Sequence, residues 1–225
     1  PPGLGHAGGA PTGALPASVD FPLVERAEPD AFSVILFGDP QTYTIEEVNA
    51  FAHDVVEEVI GAQREVGASF GVTLGDLVGD DLGLFEPYAD VVSTVGVPWH
   101  NLSGNHDMNL DVDTDALADE TFERVFGPVN YAFVHGPVLF FVFDNVVYEG
   151  RRPDGRPGGY HATFSAEQLA FMEGVLAGAE YEFAVVMMHI PLVEVTNSDA
   201  MIALLGQTPS FSIGAHWHRH GTFFM

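Results

Sequence analysis

Four times along the chain, an apolar run of strand length stops at a glycine or at a polar residue. Ser33–Gly38 runs into Asp39-Pro40-Gln41, and Phe70–Leu74 into Gly75-Asp76. Pro98–Leu102 runs into Ser103-Gly104-Asn105-His106-Asp107, and Phe183–Met188 into His189. Continuous apolar runs of this length suit strands covered on both faces. Between them lie segments with helical spacing. Thr44-Ile45-Glu46-Glu47 reads as a capping box ahead of Val48, Phe51, Val55, Val56 and Val59. Helices are also expected over Leu84–Val95 and Asp115–Phe126, and from the Ser165–Gln168 capping box to about Leu176. Tyr131–Val134 and Val138–Phe143 read as a hairpin around His135-Gly136-Pro137. Further strands are expected at Phe211–Ala215 and Thr222–Met225. Alternating strands and helices predict a layered α/β fold. In open sheets of that class, ligands bind where the strands end.

Composition narrows the chemistry. Among 225 residues there are 32 acidic side chains, 7 cations and no cysteine. All the cations are arginine, and the formal charge is −25. Such a surface repels nucleic acid and anionic lipid, both of which bind basic patches. No apolar run reaches the roughly 20 residues of a membrane-spanning helix. Without cysteine there are no disulfides, thiolate metal sites or cysteine nucleophiles. A lysine-free acidic surface also suits adaptation to salt. Residues 1–30, rich in Pro, Gly and Ala at their start, read as a linker or tail, with one domain over 31–225. The opening Pro1-Pro2 and the closing Phe223-Phe224-Met225 read as cut or processed ends.

The polar groups expected at the strand ends are Asp39, Gln41, Asp76, Asp80, Asn105, His106, His189, His216 and His218. Oxygen and imidazole donors without thiolate suit Mn, Fe, Zn, Mg or Co. Their number exceeds the needs of one tetrahedral ion and fits two ions sharing a carboxylate.

Taken in order, these residues resemble the calcineurin-like metallophosphoesterase superfamily. Its pattern is D-x-H, G-D-x-x-D, G-N-H-D/E, a lone H, and G-H-x-H. Here the segments are Asp39-Pro40-Gln41, Gly75-Asp76 with Asp80, Gly104-Asn105-His106-Asp107, His189, and Ala215-His216-Trp217-His218. Glutamine stands in place of the first histidine, and alanine in place of the last glycine. The Asp-Pro-Gln variant, with Asp119-Glu120-Thr121-Phe122 and Phe126-Gly127-Pro128, is similar to a bacterial branch with extra flanking domains.

The resemblance implies a four-layer α/β/β/α sandwich of two mixed sheets, with a dinuclear metal site at the strand ends. It implies a phosphoester hydrolase, monoesterase or diesterase, acting on a phosphorylated small molecule. One ion would be held by Asp39, Gln41, Asp76 and His218, the other by Asp76, Asn105, His189 and His216. The metals would be Mn, Fe, Zn or Mg, with a bridging hydroxide as nucleophile. Two divalent ions facing two carboxylates and a hydroxide leave the site positive inside an acidic protein, which suits phosphate. His106 would be the general acid and Asp80 its orienting carboxylate. Gln41, a neutral and weaker donor, is expected to loosen the first position and favour Mn, Mg or Fe. An alternative reading is a catalytically weakened binding module within a longer secreted protein. The resemblance also favours an extracytoplasmic location.

Arg151 and Arg152 in a Gly/Pro/Arg loop, with His161 just beyond it, are candidates for substrate contact. His100, Tyr148 and Tyr160 are expected in the core, and His135 on the surface.

Overall fold

The computed structural model describes residues 29–206 and 208–222. Three parallel strands form the first sheet: β1 (Val34–Phe37), β2 (Phe70–Thr73) and β3 (Trp99–Asn101), in the order β1-β2-β3. Four strands form the second: β4 (Tyr131–His135), β5 (Val138–Phe143), β8 (Phe183–Met188) and β9 (Ser210–Ile213), in the order β4-β5-β8-β9. Only the β4–β5 pairing is antiparallel there. A separate antiparallel pair, β6 (Val146–Tyr148) and β7 (Tyr160–Ala162), brackets the Gly/Pro/Arg loop.

Side-chain alternation decides what lies where. On β5, Leu139, Phe141 and Phe143 pack with Met172 of α5 (Ala166–Gly178) and Met201 of α6 (Ser198–Leu205). The intervening Phe140 and Val142 pack with Phe70 and Val72 of β2 and with Leu102. On β8, Ala184, Val186 and Met188 share the first cluster, and Val185 and Met187 the second. A third cluster joins Phe37 to Val48 of α1 (Ile45–Phe51) and to Phe85, Tyr88 and Val92 of α3 (Phe85–Ser93).

Register then fixes the polar edge. Phe37, Thr73 and Asn101 are paired in line across the first sheet. Phe143 pairs with Met188, and Met187 with Ile213, in the second. The segments after all these strands therefore leave the sheets at corresponding ends.

Several sequence expectations need correction. Among the described residues the first sheet holds only parallel pairings, where a mixed sheet was expected. Among the described residues β1 pairs only with β2, and its Leu36 is 42% exposed rather than covered. The helix expected over Asp115–Phe126 is split into a 3-10 turn (Asp115–Leu117) and α4 (Glu120–Phe126). The Asn109 N–H takes the Ala118 carbonyl, and its side-chain oxygen takes the Thr121 N–H, so the helical ladder is interrupted there. The Ser165–Gln168 capping box is complete. At Thr44 only half of a box forms, since the Glu47 carboxylate accepts from the Tyr43 N–H instead. The first helix runs through a π turn (Ala52–Val56) into α2 (Glu57–Val66), which ends at left-handed Gly67. His135 is packed against Phe32 and Phe70 rather than facing solvent. The tail of residues 1–28 and the last three positions of the strand expected at Thr222–Met225 lie outside the described residues. Thr222 itself is not in a strand.

Candidate metal centre

Asp76 is the hub. It follows β2 at φ +50° and is 1% exposed. Its Oδ1 accepts the His106 N–H at 2.9 Å, and its Oδ2 lies 3.3 Å from His189 Nε2. The Gln41 N–H donates to its carbonyl at 2.8 Å. This packing leaves no room for side chains on two neighbours. A Cβ on Gly104 would lie 2.3 Å from the Asp76 N and Oδ1, and one on Gly75 2.5 Å from His189 Nδ1.

His189, fully buried after β8, carries the second half of the site. Its Nδ1 faces the Leu74 carbonyl at 2.8 Å, across from the first sheet. That acceptor fixes the proton on Nδ1 and turns the Nε2 lone pair inward. Around Nε2 stand Asn105 Oδ1 at 3.1 Å, His216 Nδ1 at 3.3 Å, Asp76 Oδ2 at 3.3 Å and Asp39 Oδ1 at 4.0 Å. Asp39 also binds the His216 N–H, at 2.9 Å through Oδ2, and lies 3.6 Å from His218 Nε2. Ligand atoms of Asp76, His189 and His216 all lie within 4.8 Å of one another. Converging acceptors and lone pairs of this kind fit a cation, and the donor set fits a hard or borderline divalent ion.

Electrostatics record the same crowding. Burial raises the Asp39 carboxyl above its usual value, with Asp76 adding to the rise and His189 opposing it. Burial also acts to raise Asp76, but its close neighbour His189 and the N–H bond from His106 outweigh it and hold it low. Burial lowers His216, and the neighbouring His189 lowers it further.

The backbone is strained at this place. The non-glycine residues with left-handed φ among the described residues are Asp39, Gln41, Asp76, Asp80, His216 and His218. Such conformations cost of order 1–3 kcal/mol each and persist where surrounding structure enforces them. All six belong to the set read from sequence.

Beside the hub, His106 Nδ1 sits 2.8 Å from Asp80 Oδ1, and the Asp80 N–H returns to the His106 carbonyl at 3.2 Å. The pair is half-open to solvent. The fold thus gathers Asp39, Asp76, Asn105, His189, His216 and His218 by their side chains, and Gln41 by its backbone.

Arg151, Arg152 and His161 are placed differently. Arg151 is held by Asp113 at 2.9 Å, and the Arg152 N–H by the Arg156 carbonyl at 2.8 Å. His161 Nδ1 stands 3.6 Å from Glu149. An anion at Arg151 would compete with a carboxylate already present. His100 stacks on Phe133 at 4.3 Å, and Tyr148 is buried with its hydroxyl on the Leu110 carbonyl. Tyr160 departs from its expected core position. It is 41% exposed, and its ring lies 6.0 Å from that of His216.

Three contributors had no assigned role in the sequence reading. Asp107 is fully buried and accepts N–H bonds from Leu77, Val78 and Gly104, tying two motif loops together. Asn145 does the same for the His189 turn, bonding both the N–H and the carbonyl of Ile190. The signal for Asp107 lay in Gly104-Asn105-His106-Asp107 itself, since an acid placed in a loop is suited to gathering free N–H groups. Tyr43, beside His106, carried no such signal.

No family model and no curated protein matches the sequence. Among solved structures, the chain is similar to the crystal structure of a dimetal phosphatase from Danio rerio, with a TM-score of 0.60 and 16% identity. The match covers 84% of this chain and 82% of that one. At such identity the likeness shows a shared fold over most of the chain.

Proposed function

We propose that the protein is a metal-dependent phosphoester hydrolase acting on a phosphorylated small molecule. The observation that carries this reading is the junction at Asp76. One carboxylate oxygen meets the buried donor cluster, and the other is bound by the backbone of His106, whose ring is paired with Asp80. Asp39, Gln41, Asp76 and His218 would hold one divalent ion, and Asp76, Asn105, His189 and His216 the other, as Mn, Fe, Zn or Mg. When bound, such ions supply a water nucleophile active near neutral pH and neutralise phosphoryl charge. The core clusters support a four-layer α/β/β/α arrangement, with this junction at its edge.

The chain's own part is proton delivery. Asp80 holds the His106 Nδ1 proton, which leaves Nε2 to protonate the departing ester oxygen. Gln41 contributes an uncharged oxygen where the family pattern has imidazole, so its position binds metal more weakly.

The test is release of p-nitrophenol from p-nitrophenyl phosphate and from its bis ester, with and without Mn. Turnover should require the metal and vanish with chelator. His106→Ala should lower kcat by about 10²–10⁴-fold while Mn stoichiometry is unchanged. Absence of Mn binding to the purified protein would overturn the reading, as would full turnover by His106→Ala on both aryl and alkyl esters.

A further inference from the structure

Tyr43 is an unusual surface residue. The residue is 49% exposed, yet it is held from three directions. Thr42 forms a parallel bridge with Val78 and accepts the Gly79 N–H at 2.9 Å. The Glu47 carboxylate accepts the Tyr43 N–H at 2.6 Å. The ring lies against Gly79, where a Cβ would come within 2.4–2.6 Å of three ring carbons. Bare backbone at Gly79 is therefore the seat of an aromatic side chain. The other ring neighbour is His106, with centroids 6.2 Å apart and planes at 71°.

An aromatic ring held by its backbone and left half uncovered loses little freedom when something lies on it. Aromatic pairs at such separations gain beyond simple burial. The place matters too, since His106 is where the leaving group would take its proton. We propose that Tyr43 is a platform for the leaving group, and that the site selects phosphoesters whose leaving group is a planar aromatic or heteroaromatic ring over aliphatic ones. This inference rests on the hydrolase reading only in placing the leaving group beside His106.

The experiment uses the Mn-loaded protein and two stable mimics, benzylphosphonate and butylphosphonate, with affinities read by calorimetry. In parallel, kcat/KM is measured for phenyl phosphate and propyl phosphate. Wild type is compared with Tyr43→Leu, which keeps apolar cover, and with Tyr43→Phe, which keeps the ring. Intrinsic differences between leaving groups cancel in the variant-to-wild-type ratio. Tyr43→Leu should weaken the aromatic ligand and ester about 3- to 10-fold and move the aliphatic ones less than about twofold; Tyr43→Phe should preserve the wild-type preference. Equal losses for both classes in Tyr43→Leu, or no loss for either, would overturn the platform. If the benzyl preference depends on Tyr43 but neither ester is cleaved, the platform stands and the hydrolase reading falls. If both esters are cleaved and the preference ignores Tyr43, the platform falls and the hydrolase reading stands.

Discussion

At the scale of single residues, the site is built by strain and by missing side chains. Left-handed φ at Asp39, Gln41, Asp76, Asp80, His216 and His218 turns consecutive groups inward where an ordinary strand would alternate them. Among Gly75, Gly79 and Gly104, Gly104 makes the tightest approach, against the Asp76 backbone. Gly104→Ala should therefore displace Asp76, and Mn affinity should fall by at least tenfold in a calorimetric titration while far-UV dichroism is unchanged. Unaltered Mn binding would show that the loop can yield. These residues were legible in the sequence because Gly-Asp and Gly-Asn at strand ends carry both backbone freedom and donor chemistry. Tyr43 and Tyr160 were not, because an aromatic side chain in sequence gives no sign of which wall it will stand on.

At the scale of elements, the loops after β2 and β3 act as one body through Asp107. Removing that carboxylate leaves the N–H groups of Leu77, Val78 and Gly104 without their acceptor. Each orphaned buried donor costs about 1–3 kcal/mol. Asp107→Ala should lower unfolding stability by several such increments in a urea titration, and Asp107→Asn by less, since its amide oxygen still accepts. Equal stability of Asp107→Ala and wild type would remove the clip from this account.

A second acidic contact lies at the ends of α4 and β5. Burial, with Asp115 nearby, pushes Asp119 up to about 7. Burial and Asp119 raise Asp144 well above the usual carboxylate range. The folded chain thus keeps protons that the unfolded chain gives up from about pH 4 upward. Stability contributed by this pair is present at low pH and declines as pH rises through about 7. Asp144→Asn, which can still accept the Val146 N–H, should flatten the fall between pH 5 and 8. The slope removed should approach about 1.4 kcal/mol per pH unit per proton. Parallel profiles for wild type and variant would refute the raised carboxyls.

At the scale of the whole molecule, 32 carboxylates face 7 arginines. Self-repulsion on that surface is screened as the Debye length falls from about 10 Å at 0.1 M salt to about 3 Å at 1 M. Tm should rise over that range; a fall would argue against adaptation to salt. Bound metal should add stability of its own, about 2.7 kcal/mol at a hundredfold excess over Kd.

The sequence by itself determined the layered α/β class, most strands, and which polar residues stand at the strand ends, because strand-length apolar runs and the polar groups that end them are local properties. The splitting of the helix at Ala118 escaped it, since Asn109, not the helix, claims that carbonyl. The exposure of Leu36 on β1 escaped it as well, because an apolar run does not reveal what will cover each of its faces. Only the tertiary structure decided that Asp76 meets His189 across two sheets, that Arg151 is spent on Asp113, and that Tyr43 lies over Gly79. Those outcomes depend on register and on contacts between residues far apart in the chain, which no local pattern encodes.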